Sequence, residues 1–500
     1  MHCLDTLLQT WERLQVELHD QYSRERLQDF QDFCQRVSGL QTVAVVLLTP
    51  LPCLMVVILA DAIPLQPIER GFAYSGGLWL RSIFTTGVHT LTLLVQCEAY
   101  IPSLLLSAWE RIAIVLMVSV LSVAASYPIA CLIGFPIPFI VSLMSVPWLT
   151  LFMTSLWLAR GHLIRSDEAT RAGIHEFVIM GWTQTVTTIV YQAFYAAFSQ
   201  MSPTAQIKFV LLLPVFKLLQ KNVINSLTRD KDDIKPEVVT FIVELFHSMF
   251  VSCCMQRSTS ITTSFVLMVI DTTQACISLY DLNRIMGVVE VLAAANGLAR
   301  DEFVAVALRV ASLEPAAVLR GPHPTMVQSL PTEARGRVGG TRVYILPAMT
   351  SVGPPQSMPR ISWIHPISRV ARKGTTRTVT DALSGQHKAI FAHSVLRAMF
   401  IAEFLLLIEF VEVMIPTVYC LYLIVLVHLP NRVFYPHLTH VTDAQLRVTI
   451  QSVLLYATME LCSFLMLLVM IWRRLHVSGL RQLAFVLQTQ VVRVQSRLTF

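Results

Sequence analysis

The sequence predicts an all-α fold, a polytopic transmembrane helix bundle of about ten spans with a long, partly disordered cytoplasmic loop. Three observations predict it. Apolar residues make up 54% of the 500 residues and charged residues only 14%, whereas a soluble protein carries about 25% charged residues to cover its surface. Apolar runs of membrane-crossing length recur along the chain. Lysine and arginine fall overwhelmingly on alternate connections between those runs.

A helix crosses the hydrocarbon core with about 20 apolar residues. Eight segments meet that requirement, at 43–63, 112–133, 137–158, 178–198, 238–255, 261–280, 399–429 and 448–472. Two weaker ones complete ten: 83–100, which carries His89 and Glu98, and 207–219, which is short and contains Pro214 and Lys217. Segment 399–429 is long for one crossing, and Pro416 would divide it into pieces too short to cross separately. One tilted helix, kinked at that proline, is the expectation. With ten spans, 32 basic residues fall on the N-terminal side and 6 on the other. Leaving out the long loop, which the positive-inside rule discounts, 18 still face 6. Both termini and the loop are therefore expected in the cytoplasm. The net charge of +6 reflects that orientation, and no nucleic-acid partner is expected.

The organisation follows. Residues 1–40 form a cytoplasmic amphipathic N-terminal helix, with Leu4, Leu7, Leu8, Trp11, Leu14 and Leu18 at helical spacing. Packing on the bundle is preferred over lying on the membrane surface. Spans 1–8 occupy 41–282, the cytoplasmic loop 283–395, and spans 9–10 occupy 396–472. Residues 473–500 form a cytoplasmic amphipathic tail, in which Leu483, Leu487, Val491, Val494 and Leu498 repeat at helical spacing. Within the loop, 285–312 is helix-prone. Residues 315–366 hold nine prolines and no apolar periodicity, the composition of a disordered linker. The stretch 369–377 is basic and, beside a bilayer, is expected to meet anionic lipid. The ten cysteines include no C-x-x-C pair and read as apolar packing residues. The N-terminus has no signal-peptide pattern.

Ionisable residues inside a membrane are costly, so they are the first functional candidates. The apolar spans contain Glu244, Asp271, Glu409, Glu412 and Glu460, with Glu98 and Glu403 nearer the ends. Bases are scarce: His89 and His247 at depth, Arg81 and Lys217 near segment ends. Glu409 and Glu412 share one helix face, whereas Glu403 points to the other side and belongs to a separate contact. The pair reads either as a proton- or cation-handling site opposite Glu460 or Asp271, or as neutral acids that hydrogen-bond between helices. Glu244 and His247 form one E-x-x-H, and a di-iron bundle needs two, so no metal is expected there. His428, His437 and His440 read as part of an outer turn. No nucleophile elbow, P-loop, dinucleotide fingerprint or zinc-protease motif occurs, so neither an enzyme nor a cofactor is expected. The leading expectation is passage or sensing of a small solute or ion through the bundle. The alternative is a non-transporting scaffold or receptor-like protein acting through 283–395.

Several phrases occur together: VYQAFYAAF at 190–198, FVLLLPVFKLLQKNV at 209–223, VELFHSMFVSCCMQ at 243–256, IEFVEVMIP at 408–416, HLPNRVFYPH at 428–437, LLYATMELCSF at 454–464 and LRQLAFVLQTQ at 480–490. With them the chain resembles a lineage-expanded family of multi-span membrane proteins of oomycetes, over roughly residues 20–280 and 395–500. The resemblance implies a polytopic membrane protein and no particular activity, ligand or site. Members of that family continue into one more apolar segment, so a chain shortened after Phe500 is a further expectation.

Overall fold

The structure is a computed structural model that describes residues 15–313 and 385–499, apart from breaks at 19, 68, 70, 72–73, 136–139, 229–231, 258–260, 295–297, 436–437 and 439–441. Residues 315–366, the basic stretch 369–377, His437 and His440 lie outside the described residues. Those described form an all-helical architecture without a strand.

In chain order the helices are α1 (Arg24–Arg36), α2 (Gly39–Leu48), α3 (Leu51–Ala62), α4 (Gly76–Tyr100), α5 (Ala108–Ile133), α6 (Ile140–Ser166), α7 (Glu168–Gln200), α8 (Pro203–Val210) and α9 (Leu213–Leu227). Then come α10 (Lys235–Val239), α11 (Leu245–Arg257), α12 (Ile261–Ala294), α13 (Phe303–Leu313), α14 (Gly385–His428), α15 (Asp443–Leu475), α16 (Gly479–Thr489) and α17 (Val491–Thr499). Starts follow from capping chemistry: Ser38 with Gln41, Ser107 with Glu110 and Thr442 with Gln445 form reciprocal capping boxes at α2, α5 and α15.

Seven helices among the described residues are long and apolar enough to cross a membrane: Gly39–Ala62, Gly76–Tyr100, Ala108–Ile133, Lys235–Gln256, Phe265–Ala294, Ile390–His428 and Asp443–Leu475. Their outward faces are apolar. Leu47, Met55 and Leu59 on the first, Leu116 and Val120 on the third, and Leu465, Met466 and Val469 on the last are exposed. Contiguous apolar exteriors of this kind belong against lipid. The chain is a multi-pass membrane protein.

At the centre stands α14. Nearly every residue from Phe391 to Val411 is buried, as expected of a helix apolar on all sides. It packs against α15, α12, α13 and α11. One continuous helix runs from Gly385 through Pro416, so the single long span expected at 399–429 is present and begins earlier, at Ile390.

Other boundaries differ from expectation. The segment 207–219 is two helices, because Pro214 sits in the first turn of α9 and cannot extend the helix before it. Helices α6 and α7, with 27 and 33 residues, have the length to cross. Helix α6 is as apolar as several of the seven but leaves helical geometry at Arg160, and α7 carries Thr183, Gln184, Thr185, Thr187 and Thr188 together. The span ending at Tyr280 continues to Ala294, past the boundary placed at 282. Part of the loop is a packed element: Phe303, Val306, Ala307, Val310 and Ala311 of α13 are buried, facing α14 and α1.

Both ends also depart from simple amphipathic helices. Among the described N-terminal residues the α-helix starts only at Arg24; a 3₁₀ turn at Val16–Leu18 and extended chain precede it. Besides forming that turn, the backbone here bonds to α14. Arg397 donates to Leu18 O at 2.7 and 3.0 Å, and Tyr22 N donates to Leu396 O at 3.3 Å. The tail is two helices, with Gly479 and Gln482 to Leu487 all buried. Phe485 meets the rings of Phe30 and Phe33 edge-on, so α1 and α16 pack together inside the bundle.

Candidate functional site

The buried acids come from helices that each place them near mid-length. Glu409 and Glu412 sit at the middle of Ile390–His428, Glu460 at the middle of Asp443–Leu475, and Glu244 at the middle of Lys235–Gln256. Helices α14 and α15 pack closely and α11 packs on both, so residues of matching depth converge. One carboxylate oxygen from each of Glu409, Glu412 and Glu460 lies within 4.8 Å of the others. All three side chains are buried. Neither Glu409 nor Glu460 has an ion pair to a basic side chain among the described residues.

Glu244 belongs to a different arrangement. It ends a π-helical turn, Thr240–Glu244, in which all five residues are fully buried. Such turns are uncommon and concentrate at functional sites. Lys217 Nζ lies 2.6 Å from Glu244 and 3.2 Å from Glu412, and Gln274 is 3.4 Å away. Lys221 Nζ reaches the other Glu244 oxygen at 2.7 Å and also pairs with Glu17 of the N-terminal segment. Ion pairs thus run continuously from Glu17 through Lys221, Glu244 and Lys217 to Glu412, and Glu412 opens onto the carboxylate trio.

Asp271 stands beside the group on α12, with His247 Nε2 at 3.8 Å. The E-x-x-H motif therefore does not act as a pair: Glu244 turns to the lysines and His247 to Asp271. Tyr191 stacks on Phe246 and meets Phe216 edge-on, with Phe250 tilted against it. Its hydroxyl is buried without a hydrogen-bond partner among the described residues, and its ring neighbours Phe216, the residue beside Lys217.

The five expected acids are therefore neighbours in one buried polar region, and three of them converge tightly. Glu412 pairs with Lys217, whereas Glu409 has no ion pair to a basic side chain among the described residues. Sequence reasoning placed Lys217 near a segment end and omitted Lys221. The available signal was their spacing. Lys217 and Lys221 are four apart, with Gln220 between, so one face of α9 is polar. Val215, Leu219 and Val223 on the other face are exposed. In a membrane this inverted amphipathicity is the stable one, since lipid accepts the apolar face and the bundle interior accepts the charges.

Glu403 belongs elsewhere, as its angular position indicated. It is fully buried and receives bonds from Arg26 and from the Tyr22 hydroxyl. Gln482 of α16 completes this group, donating to Tyr22 Oη at 2.9 Å and to Met399 O at 2.8 Å. A third polar group ties the opposite end of the spans. Asp61 accepts from Tyr435 at 2.6 Å, from Tyr422 and from Arg81, while Asn431 bonds Asp61 O and Ile63 O. His428 contacts only the carbonyl of Ile424, one turn back, in the hydrogen bonds described.

Chemically, three carboxylates with one shared ammonium in an apolar interior cannot all remain charged and uncompensated. They require protons or a cation. An all-oxygen set of this spacing suits a hard cation better than a soft metal. No known protein family, curated protein or solved structure matches the chain.

Proposed function

We propose that the protein binds a hard cation at Glu409, Glu412 and Glu460 and passes it through the bundle. The observation that carries the reading is the convergence of these three buried carboxylates within 4.8 Å at the middle of their spans. Mid-depth sites built from facing helices are where membrane transporters bind ions and substrates. Structural hydrogen bonding alone explains a single buried acid capped by a neighbour. It does not explain three acids placed against one another, which raises the electrostatic cost of each.

The finer topology belongs to this reading. Ten crossings result if α6, α7 and the α8–α9 pair also traverse the bilayer, and the 32-to-6 division of basic residues supports that count. The packing of α1 on α16 supports both termini on one side of the membrane, and the division of basic residues makes that side the cytoplasm. The test is ion flux into proteoliposomes, with calcium, manganese and a proton gradient measured separately, beside thermal stability. Glu409→Gln, Glu412→Gln and Glu460→Gln should fold and lose flux of the cation carried. Undiminished flux in all three variants, or no flux of any cation in the unaltered protein, removes the reading.

A further inference from the structure

We propose that Lys217 is a built-in competitor for the cation. In the ion-free state its ammonium neutralises Glu412. When an ion enters among Glu409, Glu412 and Glu460, Lys217 withdraws onto Glu244. This inference rests on the cation reading above and adds how the site is regulated.

The geometry supplies both positions. The shorter leg already runs to Glu244, 2.6 Å against 3.2 Å to Glu412. A lysine ammonium has three donors, and they now point to Glu244, Glu412 and Gln274. Leaving Glu412 would strand one donor in an apolar interior unless another acceptor waits nearby. Tyr191 provides one. Tyr191 is 5% exposed, its hydroxyl has no hydrogen-bond partner among the described residues, and its ring meets that of Phe216, the neighbour of Lys217, at 5.5 Å. An unused buried hydroxyl at this place has no role in the ion-free arrangement and a defined role in the other.

Charge also permits the move. Glu244 carries Lys221 on its second oxygen, and Lys221 is balanced in turn by Glu17. The withdrawn Lys217 thus joins a network of two lysines and two carboxylates, which is neutral. The incoming ion takes over the charge of Glu412 together with Glu409 and Glu460, which have no other cation. Binding then competes with the Lys217–Glu412 pair, and the apparent affinity is reduced by the fraction of molecules in which Lys217 has left. Lysine suits this role because its flexible stem carries a point charge. Arginine would hold both acids through its rigid fork.

The experiment is calcium chloride titration, by calorimetry, of the full chain in lipid nanodiscs. Four variants are compared with the unaltered protein. Lys217→Met should bind calcium roughly tenfold more tightly and Lys217→Arg roughly tenfold more weakly, one decade of dissociation constant each way. Tyr191→Phe should weaken binding in the same direction as Lys217→Arg, and Glu460→Gln should abolish it. If Lys217→Met does not fold, Lys217→Arg and Tyr191→Phe, which keep charge and shape, decide the matter. Calcium affinity unchanged in Lys217→Arg and Tyr191→Phe, with binding still lost in Glu460→Gln, overturns the role of Lys217 and leaves the cation site standing. Absence of calcium binding in the unaltered protein and in every variant overturns the role of Lys217, while the flux assay with the other cations decides the cation reading separately.

Discussion

Glu403 and the Glu409–Glu412 pair lie on the same helix, about two turns apart, and the groups built on them close in opposite ways. Around Glu403 one carboxylate meets one guanidinium and one phenol, and Gln482 finishes the bonding with a backbone carbonyl. Nothing is left over in charge. Around Glu412 three carboxylates share a single lysine that also serves Glu244. The difference teaches where to look for function in a buried polar network. A matched group ties elements together, here the N-terminal segment, α14 and α16. A group with excess charge of one sign is incomplete without a proton or an ion.

Four predictions break or sharpen that comparison. The largest effect belongs to Arg26→Met, which strands the fully buried Glu403. A loss of about 3–5 kcal/mol is expected, most of it recovered when Glu403→Leu is added. Thermal unfolding of the detergent-solubilised protein measures both. Equal losses in the single and double variants would mean that packing, and not the stranded charge, sets the cost.

Gln482→Leu comes next. It leaves Tyr22 and Met399 O short of a partner, at a cost of about 1–3 kcal/mol in the same assay. A neutral result would show the group to be looser than its hydrogen bonds indicate. Thr442→Ala, at the α15 capping box and distant from both groups, should cost about 1 kcal/mol and leave ion flux intact. It calibrates how much stability can fall before transport does.

Glu460→Gln has the smallest expected effect on stability, within about 0.5 kcal/mol of the unaltered protein or on the stabilising side. An amide keeps the shape and is neutral without a proton or an ion. The contrast with Arg26→Met is the point. A large loss on Glu460→Gln would place Glu460 with the structural ties and against the cation reading.

Much of this was legible before the fold. Clear apolar runs marked six of the seven spans and the weaker run 83–100 the seventh, because a bilayer demands about 20 apolar residues wherever the chain crosses it, whereas the clear runs 137–158 and 178–198 are not among the seven. The acids stood out because few carboxylates survive in such runs. The angle between Glu403 and the Glu409–Glu412 pair was readable from helical periodicity alone, and the structure puts them in separate groups as that angle requires. Less was legible at α9, where the charged face turns inward and a hydropathy reading ends the segment just before Lys221.

Composition and periodicity determined, without tertiary information, that this is a helical membrane protein with acids buried in its spans. Those properties depend on each segment and its solvent, so local sequence carries them. Only the tertiary structure decided which charges meet. Glu17 and Lys221 are 204 positions apart, Lys217 and Glu412 are 195, and Arg26 and Glu403 are 377. Pairing over such separations is set by how helices pack and at what depth each side chain arrives. The same packing decided that the tail enters the bundle: α16 is buried from Gln482 to Leu487 because α1, α2 and α14 pack on it, and no helical repeat of leucines distinguishes that fate from a helix lying on a surface.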